Sequence, residues 1–200
     1  MIWSYSPLSN SAAGRKPLTR ENPLRADAQR NRDLILAAAE EVFLERGAGA
    51  SLDDVAKRAG VGIGTLYRRF PTREALLAAS FSERLLTFAK TSKTRDANVD
   101  PRGAVRAYLE ELVTHSNVYR GLATSLGTVI HSGTPGCQAI SEEGRRLLRL
   151  AQKAGAVRRD VTFEDIVYVA TATSLATEQG GTKSRIAHLI GLFVDGIGTG

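Results

Sequence analysis

The stretch SLDDVAKRAGVGIGTLYRRFPTR, Ser51 to Arg73, decides how this 200-residue chain is read. Ser51 has the chemistry of a helix N-cap, and Asp54, three residues on, completes a capping-box pattern. Leu52, Val55, Ala56 and Ala59 recur at helical spacing, which predicts a short helix with one apolar face. Gly60 supplies the break, because glycine takes turn conformations without steric cost. A second short helix is predicted over Ile63 to Phe70. Leu66 and Phe70 lie on its inner side, and Thr65, Tyr67, Arg68 and Arg69 are left for solvent or a partner. Two small helices crossing over a glycine-containing turn make a helix-turn-helix, whose second helix lies in the DNA major groove.

Charge points the same way. Residues 1–95 hold 16 Lys/Arg against 10 Asp/Glu, a net of +6, while residues 96–200 hold 11 against 11. The whole excess therefore sits in the half that carries the motif, as expected for a DNA-binding head on a neutral body. A single cysteine, Cys137, rules out an internal disulfide and a cysteine metal cage, and suits a reducing cytoplasm. No apolar run approaches the ~20 residues of a membrane span, and the start MIWSYSPLSNSAAG lacks the basic-then-apolar order of a signal peptide.

Outside the motif the chain reads as helix throughout. Residues 1–25, rich in Ser, Asn, Pro, Gly and Arg, are expected to form a flexible basic arm, in which Arg15, Lys16, Arg20 and Arg25 would either contact phosphate or have no role. A helix over Ala28 to Arg46 carries the stripe Ile35, Ala38, Ala39, Val42 and Phe43, and Gly47 ends it. Pro71 stops the reader helix, and Thr72 caps a long helix to about Thr94, roughly 34 Å at 1.5 Å per residue. Asp100-Pro101 opens the next helix, with Val105, Tyr108, Leu109 and Leu112 on one face. Leu122, Leu126, Val129 and Ile130 mark another, and residues 132–136 read as a loop. Ile140, Leu147, Leu148 and Ala151 mark a further helix closed by Gly155. Thr162 and Asp165 pattern as a capping box before a helix to Thr177, and the last helix spans Lys183–Gly196. The expectation is an all-α fold of about nine helices: a three-helix head over residues 26–72 and a helical body over 73–200.

The reader helix begins at Gly62-Ile63-Gly64-Thr65, where free N–H groups and the helix dipole favour a phosphate or a base-edge acceptor. Gly62 and Gly64 either ease the turn or let backbone approach DNA closely. Arg68 either pairs with guanine O6 and N7 or grips phosphate beside Arg69. Thr65 suits a thymine methyl or a phosphate, and Tyr67 is either a phosphate donor or a half-buried packing residue.

Four motifs then stand in a known order and spacing: ILAAAEEVFLERG (Ile35 to Gly47), SLDDVAKRAGV (Ser51 to Val61), GTLYRRF (Gly64 to Phe70) and TREALL (Thr72 to Leu77). This segment, about a quarter of the chain, resembles the DNA-binding domain of the tetracycline-repressor (TetR) family of bacterial transcription regulators. The resemblance implies that Ile63, Gly64, Thr65, Tyr67, Arg68 and Arg69 face double-stranded operator DNA, with Ser51 and Arg73 on phosphate. The family often carries Lys or Asn near Pro71-Thr72, and their replacement here leaves Arg73 as the clamp.

The body resembles the family's effector-binding and dimerisation region in layout alone. That layout implies a homodimer through the last two helices and a small, largely apolar effector that releases a repressor from a pseudo-palindromic operator. Candidate lining residues are Phe81, Phe88, Tyr108, Leu112, His115, Tyr119, His131 and Tyr168, for each of which core packing is the alternative. No phosphate loop, zinc-ligand or nucleophile-elbow pattern occurs, so neither an enzyme nor a cofactor is implied. A constitutive regulator or a helical adaptor without an effector remains the other reading.

Overall fold

The computed structural model describes residues 23–96 and 100–199. Residues 1–22 of the expected arm, with Arg15, Lys16 and Arg20, lie outside the described residues. Nine α-helices are found among the described residues: α1 (Pro23–Arg46), α2 (Leu52–Arg58), α3 (Ile63–Arg69), α4 (Arg73–Asp96), α5 (Pro101–Ser116), α6 (Leu126–Ile130), α7 (Pro135–Lys153), α8 (Phe163–Thr177) and α9 (Lys183–Gly196). The all-α reading holds, and β structure among these residues is one isolated bridge between Val157 and Gly198.

Capping chemistry explains most of the boundaries. Asp100 accepts from the Gly103 N–H at 2.9 Å and Pro101 takes the first helical position of α5. The Thr162–Asp165 capping box forms in full at the start of α8. Four expectations change. Ser51 caps α2 through the Asp53 N–H at 3.2 Å, and no Ser51–Asp54 box closes, because the Asp54 carboxylate is taken by Arg46 at the end of α1. A charged donor outcompetes a neutral amide for a carboxylate. The first helix starts at Pro23 rather than Ala28, with proline's fixed φ suited to an opening turn. The 122–130 segment is a 3-10 turn, Leu122–Ser125, followed by the five-residue α6. The loop after it ends at Thr134, which caps α7 through the Cys137 N–H with Pro135 first in the helix.

α1, α2 and α3 form the head around Ile35, Ala39, Phe43, Val55 and Leu66, each fully buried. α4 leaves the head and packs along α7, the most extensive helix pair in the molecule. α5 runs through the body in contact with α7, α8 and α9. The α4–α7 approach is so close that a Cβ on Gly136 would stand 2.2 Å from the Ser82 carbonyl oxygen. Further along the same seam Glu143 is wholly buried, accepting from Ser92 Oγ at 2.9 Å and from Arg146 Nε and a terminal nitrogen at 2.8 Å each. Burial opposes its charge, but the Arg146 and Ser92 hydrogen bonds outweigh burial and hold the carboxyl below its ordinary range.

Candidate nucleic-acid interface

The turn between α2 and α3 is a Schellman motif. Gly60 sits at φ +66°, its N–H reaches the Lys57 carbonyl, and the Val61 N–H reaches the Ala56 carbonyl at 3.0 Å. Only glycine takes that left-handed position cheaply. α2 is held on α1 by charge as well as by packing. Arg58 pairs with Glu45 at 3.0 Å and Glu41 at 3.1 Å, and its hydrogen bond to Glu45 pulls that carboxyl below its usual range.

α3 buries Leu66, with Phe70 just past its end, and turns its other side out. Tyr67 is 48% exposed, so part of the residue stands open on this side of the helix. Arg68 and Arg69 are exposed, while Ile63 and Thr65 are half-buried, Ile63 packing against the core. Arg68 donates to Thr65 Oγ1 at 3.0 Å, so these two polar groups form one outward pair. A Cβ added to Gly62 or Gly64 would meet nothing within 4 Å, and neither glycine has a positive φ. The turn therefore does not need glycine at either place, and the surface above them is open.

Two of the expected contact residues have duties inside the chain. Arg69 donates to the Ala28 carbonyl at 2.9 Å, tying the end of α3 to the first turns of α1. Arg73 is half-buried and donates to the Ala48 carbonyl at 2.9 Å and, more closely, to that of Ala50. It thereby fixes the loop that leads into Ser51, which is exposed and follows Ala50 directly. Nothing in the spacing of the sequence signals either bond, since the partners are main-chain oxygens 41 and 25 residues away.

The body candidates divide into two sets. Phe81, Phe88, Tyr108, Leu112 and Tyr119 are buried. Phe88 stacks on Tyr108 at 5.3 Å and on His115 at 5.1 Å, and Tyr119 meets Phe81 edge-on at 4.6 Å. Tyr108 donates to the Ile140 carbonyl at 2.9 Å. His131 and Tyr168 are not with them. His131 is exposed with Glu164 at 3.6 Å, and Tyr168 is 72% exposed, because it falls between the buried positions Val167 and Ala170 on the outward side of α8. Openings lie on this body. One, about 420 Å³, runs beside α4, and Phe88 and His115 line it. Another, about 440 Å³, includes Tyr168 and Phe193. Among the described residues no His, Cys, Asp or Glu cluster fit for a metal ion occurs, and no helix is long and apolar enough to cross a membrane.

Comparison with known proteins covers both halves. Residues 35–80 match the family model of bacterial regulatory proteins of the tetR family, and residues 100–199 match that of the SbtR-like transcriptional regulator C-terminal domain. The HTH-type regulator PksA of Bacillus subtilis is 36% identical over 95 residues, 46% of this chain and 45% of that protein. The HTH-type regulator TtgR of Pseudomonas putida is 37% identical over 89 residues, 42% of each. These matches thus span less than half the length of the curated relatives. The crystal structure of the TetR regulator SCO0520 from Streptomyces coelicolor is 33% identical, covering 84% of this chain and 98% of that one, with a TM-score of 0.52. RolR in complex with resorcinol has the same fold at 19% identity, TM-score 0.67, over 88% of this chain and 91% of that one. With both halves matched and a 33% identical regulator covered almost end to end, the chain belongs to the TetR family of transcriptional regulators, and α2 and α3 are its DNA-binding helix-turn-helix.

Proposed function

We propose that the chain is a ligand-responsive repressor that binds a pseudo-palindromic operator as a homodimer. Residues 26–72 are the DNA-binding head and residues 73–200 the effector and dimerisation body. The observation that carries the DNA reading is the outer side of α3, where Tyr67 and Arg68 stand exposed beside two glycines with open space above them. Gly62 and Gly64 let main-chain N–H groups near the duplex, Arg68 and Thr65 face base edges, and Tyr67 donates to phosphate. Ile63 packs the helix in place. Ser51 remains on the phosphate side, whereas Arg69 and Arg73 act mainly by holding α3 and the Ser51 loop in register.

One reader helix makes too few base contacts for specificity, and a two-fold pair doubles them. The exposed side chains Tyr168, Leu175 and Leu192 support pairing through α8 and α9, where a monomer would leave them in water. Ile190 is fully buried within its own chain, so Leu192, 61% exposed, is the residue that tests the interface. Leu192→Glu is expected to leave helix content intact, to sediment as a monomer and to lose operator binding. A folded Leu192→Glu variant that sediments as a dimer breaks this assignment. The DNA probe is the upstream region of the protein's own gene, in a mobility-shift assay at low and moderate salt. Affinity that hardly falls with salt refutes phosphate-driven binding.

The close packing of Tyr108, Leu112 and Tyr119 favours the constitutive alternative, since these side chains fill the body's interior. The opening beside α4 favours the ligand-responsive one. α4 joins head to body, so a ligand against it alters the separation of two heads that must sit about 34–36 Å apart, or a multiple, on DNA.

A further inference from the structure

Thr65 and Arg68 stand one turn apart on α3, at positions i and i+3, and the Arg68 guanidinium donates through Nη2 to Thr65 Oγ1 at 3.0 Å. α3 is seven residues long, with Arg68 and Arg69 in its last turn. The residues of a reader helix that meet base edges are those at its N-terminal end, so an extended arginine in the last turn reaches sideways to the sugar-phosphate backbone. The bond to Thr65 bends the Arg68 side chain the other way, back over the first turn. Arg69 makes the contrast, since its guanidinium is spent on the Ala28 carbonyl of α1 at 2.9 Å. Two neighbouring cations are thus sent to different tasks by the acceptors that hold them.

The first turn has room for what Arg68 brings to it. Gly62 and Gly64 are exposed and carry no side chain, and a Cβ at either would meet nothing within 4 Å. Among the described residues no carboxylate pairs with Arg68, so the Thr65 hydroxyl alone directs its guanidinium. That bond uses one of the five N–H donors, and the other four still present the fork that matches O6 and N7 of guanine. An arginine loses much rotamer freedom on binding, and a hold that exists before DNA arrives reduces that loss. Thr65 itself is half-buried on the helix, a firmer anchor than an exposed side chain.

We propose that Thr65 is a positioning residue for base reading: its hydroxyl aims the Arg68 guanidinium at a guanine in the major groove instead of at phosphate. Each half-site of the operator then contains one G·C pair that this couple requires. The role rests on the operator reading given above, and it decides between the base edge and the phosphate, the two fates open to Arg68 from sequence.

The test lets the full chain select from a pool of duplexes of randomised sequence. The best duplex is then remade with 7-deazaguanine, which has C–H in place of N7, at each enriched guanine in turn. The wild-type protein is expected to enrich one guanine per half-site and to lose about tenfold in affinity when its N7 is removed. Thr65→Val keeps the branched shape and removes the hydroxyl. It should lose the preference for that guanine, bind the best duplex about tenfold more weakly and become indifferent to 7-deazaguanine, while its affinity for an unrelated duplex and its helix content stay unchanged. Thr65→Ser keeps the hydroxyl and should keep both the preference and the sensitivity. A Thr65→Val protein that retains them overturns the role. So does a Thr65→Ser protein that loses them, which would assign the effect to the methyl group. Equal weakening of the best and the unrelated duplex by Thr65→Val overturns it as well, leaving Thr65 a structural or phosphate-contacting residue. If the wild-type protein enriches a sequence in which no guanine responds to loss of N7, the positioning role falls and the repressor reading survives. If it enriches no sequence, the operator reading itself falls and this role with it.

Discussion

Surface ion pairs tie helices in both halves, as Arg102 to Asp195 does in the body, but the tight α4–α7 seam belongs to the body. In the head, short helices are fixed by ion pairs at the surface: Arg58 with Glu41 and Glu45, Arg46 with Asp54, and Arg84 with Glu40 at the joint. In the body, α4 and α7 are fixed by shape, with Gly136 against the Ser82 backbone, and α7 meets α8 as closely, a Cβ on Gly144 standing 2.5 Å from the Phe163 ring. The charge buried in that seam, Glu143, is fully partnered. Surface pairs are weak and salt-screened, whereas close packing is insensitive to salt and intolerant of added atoms. The contrast fits the proposal above, in which a ligand alters the separation of two heads carried on whole bodies.

The largest expected effect is steric and confined to the body. Gly136→Ala places a methyl 2.2 Å from a main-chain oxygen that no rotamer change can move. The expected loss is about 3 kcal/mol or more by urea denaturation, the upper end for overpacking. A loss under ~1 kcal/mol would show that α4 slides on α7 easily, and the division into a mobile head and a rigid body would fail.

Glu143→Gln probes the same seam by charge. It keeps the shape and weakens the Arg146 and Ser92 bonds, for an expected cost of about 2 kcal/mol, discounted because Arg146 is one-third exposed. Its pH signature is specific. The folded carboxyl titrates below its unfolded value, so its contribution is complete above the unfolded Glu pKa of about 4.3 and is lost as pH falls through the lower folded value. The stability gap between wild type and Glu143→Gln should therefore narrow as pH drops below about 4.3. A constant gap across that range would assign the effect to packing.

On the head, Arg68 and Arg73 separate reading from holding. Arg68→Ala is expected to leave stability unchanged and to cost roughly 1–3 kcal/mol of operator affinity with relaxed sequence preference. Arg73→Ala should lower head stability first, since two loop carbonyls lose their donor. If Arg73→Ala weakens DNA binding without any loss of stability, it is the phosphate clamp that the family resemblance implies. The smallest effect is that of Arg58→Ala, a slight fall in Tm at low salt that disappears at high salt. A salt-independent fall would make the α1–α2 contact a matter of packing, as in the body.

Helix positions were legible because their causes are local. Proline at a first helical position, Thr or Asp before it and Gly after the last turn act within four residues, so α5, α8 and α9 fall where the pattern put them. The helix-turn-helix was legible for the same reason, with Leu66 inward and Arg68 outward by helical phase. Where two local options competed, sequence erred: Asp54 suits a capping box but a guanidinium from another helix stood nearer.

Chain order and periodicity carried the all-α class, the head with its reader helix, and the inner side of each long helix, since each depends on a residue and its near neighbours. They carried nothing about what covers an outer side. Tyr108 and Tyr168 are the same residue type on amphipathic helices, yet one is sealed under Phe88 and Gly144 and the other stands in water. Arg69 and Arg73 look like free cations in sequence and become struts once α1 and the Ser51 loop fold against them. The opening beside α4 takes Glu40, Glu83 and Glu111 from three different helices. Distances between groups tens of residues apart are set by how whole helices pack, and no short-range pattern encodes them.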